Sequence, residues 1–298
     1  MAKTNRPLHQ PGIAEDVPRV ARYLRFRLLP GAAPGPALRR LAKETWDARA
    51  VLGIGSATVH ALDAEIPGLG PFPAQEGRGV SFPSTPSALW LWVRGEDLGE
   101  SLLRTRQYQD LLGDAYAIES VVDAFRHRDS RDLTGYEDGT ENPQGQDADR
   151  AAFVRGQGVG MDGSSFVAVQ TWVHDLARFS AKSALDRDHT IGRRASDNEE
   201  IADAPASAHV KRTAQEDFEP AAFVLRRSMP WCDNLTEGLV FVAFGHSVTA
   251  FEALSHRMLG LDDGVVDALF SFTRPISGNY FWCPPMAGDH LDLTRLGL

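Results

Sequence analysis

From Val20 to Leu29 polar and apolar residues alternate, with Arg22, Arg25 and Arg27 mainly on one side. A period of two is that of a half-buried β-strand. After a turn spanning 30–36, Leu38, Leu41, Ala42 and Trp46 fall near one face of a helical wheel, which predicts an α-helix over 37–52. A second strand is expected at 57–62 and a Gly/Pro-rich loop at 68–86. The Leu-Trp-Leu-Trp-Val run predicts a strand within 87–93, followed by a helix over 95–112 and a strand at 117–125. The second half repeats the theme with strands at 165–173, 221–226 and 238–244, a helix starting within 174–184, a helix at 249–259 and the aromatic strand Tyr280-Phe281-Trp282. A longer insertion occupies 186–217, and no residue-level repeat is visible. Each half reads strand-helix-strand-strand-helix-strand, the ferredoxin-like order. The expected fold is α+β: two packed ferredoxin-like modules with antiparallel sheets, residues 1–145 and 146–298.

Composition narrows the setting. The chain has 298 residues, 43% of them hydrophobic, with 15 Phe and 6 Trp, ample for a buried core and unlike a disordered segment. Its net charge of -9 disfavours nucleic acid and anionic membranes as partners. The two cysteines, Cys232 and Cys283, form no Cys-x-x-Cys pair, so neither a zinc site nor a disulfide framework is signalled. Residues 1–18 are polar and irregular without the apolar core of a signal peptide, and Arg39-Arg40 lies too deep for a twin-arginine signal. No window approaches the ~18 apolar residues of a membrane span. The expectation is a cytoplasmic protein.

The densest cluster of chemical signals lies mid-chain, in Gly135-Tyr136-Glu137-Asp138-Gly139-Thr140-Glu141-Asn142-Pro143. Two glycines and an Asn-Pro exclude regular structure and define a tight loop carrying three carboxylates. By itself this reads as a solvated acidic turn, or as oxygen ligands for calcium, though the spacing is not that of an EF-hand. His209 sits among small residues, Ala204 to Val210, and is followed by Lys211-Arg212; alone it is a surface loop histidine. Arg226-Arg227 precede Ser228-Met229-Pro230 as a basic strand end, and Ile191-Gly192-Arg193 ends in a solvated Arg-Arg pair.

Together, and in this order, these segments resemble the dye-decolourising peroxidases, whose signature is Gly-x-x-Asp-Gly followed by Asn-Pro. Gln10-Pro11-Gly12, Asn198-Glu199-Glu200 and the run from Phe272 to Gly278 also look like family segments, so the resemblance covers nearly the whole chain. The length is closest to the bacterial B type. The resemblance implies haem b (iron protoporphyrin IX) with His209 as its iron ligand. It makes Asp138 the distal proton shuttle, Arg226 the charge stabiliser beside it and Arg193 the partner of a haem propionate. Ser228 stands where some relatives place Asn in the distal pocket. The implied reaction reduces hydrogen peroxide to water and oxidises dyes or other small-molecule reductants through a ferryl intermediate. A distal carboxylate, which in water titrates near pH 3.9, implies an acidic optimum.

One departure stands out. Relatives often carry Asp directly before the Phe-Ser/Thr pair, where this chain has Ser271. Asp267, a turn earlier if the segment is helical, is the substitute partner for the second ring nitrogen of His209. Bulky dyes suggest electron transfer through surface aromatics, with the six Trp and five Tyr as candidates against a core-packing reading. The alternative functions are a haem storage or delivery protein with weak turnover and a chlorite-dismutase-like enzyme. A homo-oligomer is implied. An encapsulin shell is less favoured, because the tail from Asp289 to Leu298 only loosely resembles a packaging tail.

Overall fold

Period-two burial sorts the strand side chains into an inward and an outward set. In the computed structural model, which describes residues 8–298, this sorting closes a barrel. In chain order the elements are β1 (Val20–Leu28), α1 (Pro34–Ala42), β2 (Ala50–Ile54), α2 (Ser56–Ala61), β3 (Leu89–Gly95), α3 (Leu98–Leu112) and β4 (Tyr116–Phe125). They continue with α4 (Gly145–Ala152), β5 (Ser165–His174), α5 (Leu176–Ser180), α6 (Ala184–Ile191) and α7 (His209–Arg212). The last are β6 (Met229–Cys232), β7 (Glu237–Gly245), α8 (Thr249–Met258) and β8 (Asn279–Cys283). Residues 1–7 of the irregular N-terminal stretch lie outside the described residues.

The first sheet runs β4-β1-β3-β2 and the second β8-β5-β7-β6, both antiparallel and both in the ferredoxin-like order. The sheets also join at both edges. Ala124 pairs with Trp231 and Ile54 with Trp282, so eight strands close on themselves and these edges are no longer exposed. The β2–β8 seam is a single residue pair, and the fully buried Gln10 completes it. Its amide nitrogen donates to Leu52 O (2.9 Å) and Pro284 O (3.1 Å), and its oxygen accepts from Leu52 N (2.8 Å).

Tyr23, Trp90, Trp92, Trp231, Phe244 and Phe281 fill the barrel with Val51, Val167, Val169, Val240 and Val242. Each large apolar side chain removed from water contributes roughly 1.5–3 kcal/mol. Outside, Leu24, Leu52 and Leu91 pack under Leu38 and Leu41 of α1 and Leu112 of α3. Ala168, Trp172 and Ala243 pack under Phe251 and Leu254 of α8. The C-terminal Leu291, Leu293 and Leu296 are buried in the first of these outer cores.

Several sequence expectations are corrected. The helix predicted over 37–52 begins at Pro34, a residue suited to a helix N-terminus, and ends at Ala42, while 50–54 is strand β2. All five residues of β2 are buried, and an unbroken apolar run has no periodicity to separate strand from helix. The strand expected at 57–62 is helix α2, since β2 already fills that place in the sheet. The 68–86 loop contains a small hairpin, Gln75–Gly77 with Val80–Phe82. The strand expected at 221–226 forms only at Leu225–Arg226. That short piece and β6 lie along β7 as one strand interrupted at Arg227-Ser228, where Arg227 N donates to Val242 O (2.8 Å) and Val242 N to Ser228 Oγ (3.4 Å). Interruptions of this kind re-aim side chains beside active sites.

Candidate active site

The acidic loop is the second leg of a hairpin. Asp138 N donates to Ser130 O (3.3 Å), Arg131 and Glu137 form an antiparallel bridge, and Asp132 N donates to Tyr136 O (2.9 Å). The Asp132 carboxylate closes the turn by accepting from Thr134 N (2.8 Å) and Thr134 Oγ1 (2.6 Å). After Asp138 the chain reverses at Gly139, which has φ 78°. A Cβ there would lie 2.9 Å from Asn142 Nδ2, so both conformation and space call for glycine.

Asn142 then docks the loop on the strand. Its oxygen accepts from Arg226 N (2.8 Å) and its nitrogen donates to Arg226 O (3.0 Å), as a neighbouring strand would. This sets Arg226 beside Asp138, with Nη1 3.6 Å from Oδ1, the two side chains 19% and 23% exposed. With Ser228 they line a cavity of about 500 Å³ that also meets Asp16, Arg126 and Phe153. The Arg226–Asp138 separation is too long for a hydrogen bond, and Arg226 Nε is buried without a partner among the described residues. The guanidinium therefore has unused donor capacity next to a carboxylate.

Other predicted segments pin the same loop. Arg193 pairs with Glu141 and donates to Asn198 O (2.9 Å). Asn198 donates to Glu137 Oε2 (2.9 Å) and Thr140 Oγ1 (3.0 Å), and Gln215 Nε2 to Glu141 O (3.0 Å). Gly192 ends α6 with φ 96°, and a Cβ on it would lie 3.0 Å from Val210, so α6 packs closely on α7.

His209 opens α7. Its Nδ1 lies 2.7 Å from Asp267 Oδ2, and the Asp267 side chain is 0% exposed. The other oxygen of Asp267 accepts from Leu269 N (2.9 Å), capping the 3₁₀ turn Ala268–Ser271. A carboxylate at Nδ1 fixes the proton there and leaves Nε2 as the free lone pair, the form in which histidine binds a metal. No hydrogen bond from the described residues occupies Nε2. Ser271 is not a partner of His209; it accepts from Lys182 Nζ (2.7 Å). The cavity thus gathers Asp138, Arg226 and Ser228, while His209 and Arg193 are not among its walls.

Two alternatives lose support here. Glu137, Asp138 and Glu141 each face a separate arginine, and among the described residues no group of three or more His, Cys, Asp or Glu side chains could hold a metal ion. Core packing is likewise the reading favoured for the aromatics over a surface position, because all six Trp and five Tyr are buried, none more than 8% exposed. Sequence reasoning missed the docking roles of Asn142 and Gln215. Asn before Pro signals backbone geometry, and the capacity of its side chain to pair like a strand is the overlooked feature.

The family model of the Dyp-type peroxidase C-terminal region matches residues 129–288, more than half of the chain. The chain belongs to the dye-decolourising peroxidase family. It is 31% identical over 250 residues to a dye-decolourising peroxidase of Brevibacterium linens, covering 81% of this chain and 68% of that one. It is 30% identical over 230 residues to one of Mycobacterium tuberculosis, covering 75% and 68%. A Shewanella oneidensis protein of the DyP type superposes with a TM-score of 0.88 at 25% identity over 98% of both chains. A DypB variant of Rhodococcus jostii in complex with heme gives 0.84 at 23% identity, over 94% of this chain and 97% of that one, a likeness of fold. This dye-decolourising peroxidase carries Asp138, His209, Arg226 and Asp267 within the span of the family match. No helix among its described residues is long and apolar enough to cross a membrane.

Proposed function

We propose that this peroxidase holds haem b through His209 Nε2 and reduces hydrogen peroxide with Asp138 and Arg226, using small-molecule one-electron donors. The observation that carries the reading is the Asp138–Arg226 pair on the cavity wall, a carboxylate beside a guanidinium with a donor unfilled among the described residues. The chain suits a haem on three further counts. His209 offers a lone pair set by Asp267. Leu239 and Phe241, on the outward face of β7, are only half-buried and offer apolar surface. Arg193 is a guanidinium of the kind that pairs with propionate carboxylates, now engaged by Glu141.

Bound haem would supply the redox chemistry, namely a coordination site for peroxide and a store for its two oxidising equivalents. The chain supplies the rest. Asp138 takes a proton from one peroxide oxygen and returns it to the other. Arg226 counters the negative charge that gathers on the departing oxygen. Asp267 keeps the proton on Nδ1 of His209, so that the ring stays a strong donor at Nε2. Donors reach the site through the cavity, whose volume suits small molecules.

The test is the absorption spectrum of the haem-loaded protein and of His209→Ala, each challenged with one equivalent of peroxide in a stopped-flow instrument. A Soret band lost or shifted in the variant, with rapid conversion in the wild type, is the expected result. A normal Soret band without response to peroxide would point to haem storage, and no uptake of haem would overturn the reading.

A further inference from the structure

One buried polar chain takes no part in the chemistry above. His174, the last residue of β5, is buried with its two ring nitrogens engaged on opposite sides. Nε2 lies 3.1 Å from Asp132 Oδ2, and Nδ1 lies 2.6 Å from Thr273 Oγ1. The Thr273 hydroxyl donates to Val173 O (3.0 Å), which leaves its lone pairs toward Nδ1. Asp132 is partly buried, with 15% of its side chain exposed. Burial opposes its ionisation, but hydrogen bonds from His174 and Thr134 outweigh that and hold the carboxyl below its ordinary range.

The two ends of this chain sit in the two halves of the site. Asp132 forms the turn of the hairpin whose other leg presents Asp138. Thr273 pairs with His174 in the sheet and directly follows the segment in which Asp267 caps Ala268–Ser271. That segment is further tied by Asp175 N to Phe272 O (2.7 Å) and Ala268 N to Ser207 O (2.8 Å), the latter two residues before His209. The ring of Phe272 packs 5.8 Å from that of His174. An uninterrupted path of hydrogen bonds and packed rings therefore runs from the Asp138 hairpin to the carboxylate behind His209.

We propose that Asp132, His174 and Thr273 form a positioning strut that sets the hairpin bearing Asp138 against the segment that holds Asp267 on His209. None of the three touches the reacting atoms, and the inference rests on the assignment of Asp138 and His209 given above. The strut makes the geometry of one face a constraint on the other, since buried polar chains have few alternative arrangements.

The experiment perturbs one end and reads the other. Asp132→Asn and Thr273→Val preserve shape, and Asp267→Asn serves as reference for a weakened His209 contact. Two readouts are taken: the iron–imidazole stretching frequency of the reduced haem protein by resonance Raman, and amide hydrogen exchange in 130–138 and 267–273 without added haem. Asp132→Asn is expected to move the frequency in the same direction as Asp267→Asn and to speed exchange about tenfold in both segments. Thr273→Val is expected to speed exchange in 130–138 as well. If Asp132→Asn affects only 130–138 and leaves the frequency at the wild-type value, the coupling is overturned. It is overturned equally if Thr273→Val leaves 130–138 unchanged. A wild-type protein that takes up no haem would instead refute the assignment of His209, while the exchange data would still decide whether the segments are coupled.

Discussion

Asp267 and Asp138 are both carboxylates set against a basic side chain, yet the structure treats them in opposite ways. Asp267 is fully enclosed, 2.7 Å from His209 Nδ1, with its other oxygen spent on Leu269 N. Asp138 stands 3.6 Å from Arg226, partly exposed on a cavity, on a loop that turns at a positive-φ glycine. The first arrangement removes freedom: short, charge-assisted and desolvated, it gives the proton one place to be. The second preserves freedom, because a long, partly hydrated pair is weak and does not hold either side chain in one place. Two identical functional groups are thus given one fixed and one looser setting by burial and distance alone, the difference on which the proposed roles of orienter and acid–base rest.

The largest effect expected from breaking this contrast is at His209. His209→Ala removes the lone pair that Asp267 orients, and the variant should lose or shift its Soret band. Next come the mobile partners. Asp138→Ala should slow the bimolecular reaction with peroxide by about 10²–10⁴-fold, and Arg226→Leu by about 10²–10³-fold, in stopped-flow traces. On the proposed mechanism the two side chains act on one bond, so the double variant should be no slower than about the worse single one. Fully additive losses would show that they act separately. Asp267→Asn should cost about 10–100-fold in haem affinity or turnover. If instead Asp138→Ala weakens haem binding while Asp267→Asn slows only the peroxide step, the roles drawn from burial are reversed.

The legible parts of the molecule were those with a strong local signal. Strands β1, β3, β5 and β7 announced themselves by alternation or by dense apolar runs. The Gly-x-x-Asp-Gly loop, His209 and Arg226 were visible as residue types in order. Asp267 was legible only through the family resemblance, as the carboxylate nearest to the position where relatives carry Asp and this chain has Ser271. What stayed hidden was non-local. The closure of the barrel depends on single pairs, Ala124 with Trp231 and Ile54 with Trp282, and on the side chain of Gln10, none of which has a periodic signature. The short strand β2 merged with the helix before it because wholly buried segments lose their period. His174 and Asp132, 42 residues apart, look like an ordinary strand end and an ordinary turn until the fold brings them together.

The loop's attachment offers a smaller test. Asn142→Ala removes both hydrogen bonds to the Arg226 peptide; the Arg226 N–H loses its partner, while the carbonyl keeps the bond from Arg227 Nη1 (3.2 Å). A loss of about 1–3 kcal/mol in urea unfolding is expected, with a peroxide rate reduced less than in Asp138→Ala. A rate equal to that of Asp138→Ala would mean that placement of Arg226, more than the acid–base group, limits the reaction.

The smallest effect concerns Asp132, whose side chain is 15% exposed and so stands between Asp267 and Asp138 in enclosure. Its folded pKa lies below the ordinary value of about 3.9, so the folded state favours the ionised form more strongly than the unfolded chain does. The stability it contributes is therefore complete above about pH 4 and is lost as the pH falls through the folded pKa. Wild type and Asp132→Asn should differ in unfolding free energy at pH 7 and draw together at pH 3. A gap of constant size at both pH values would show that the His174 and Thr134 bonds act on Asp132 as a neutral acceptor.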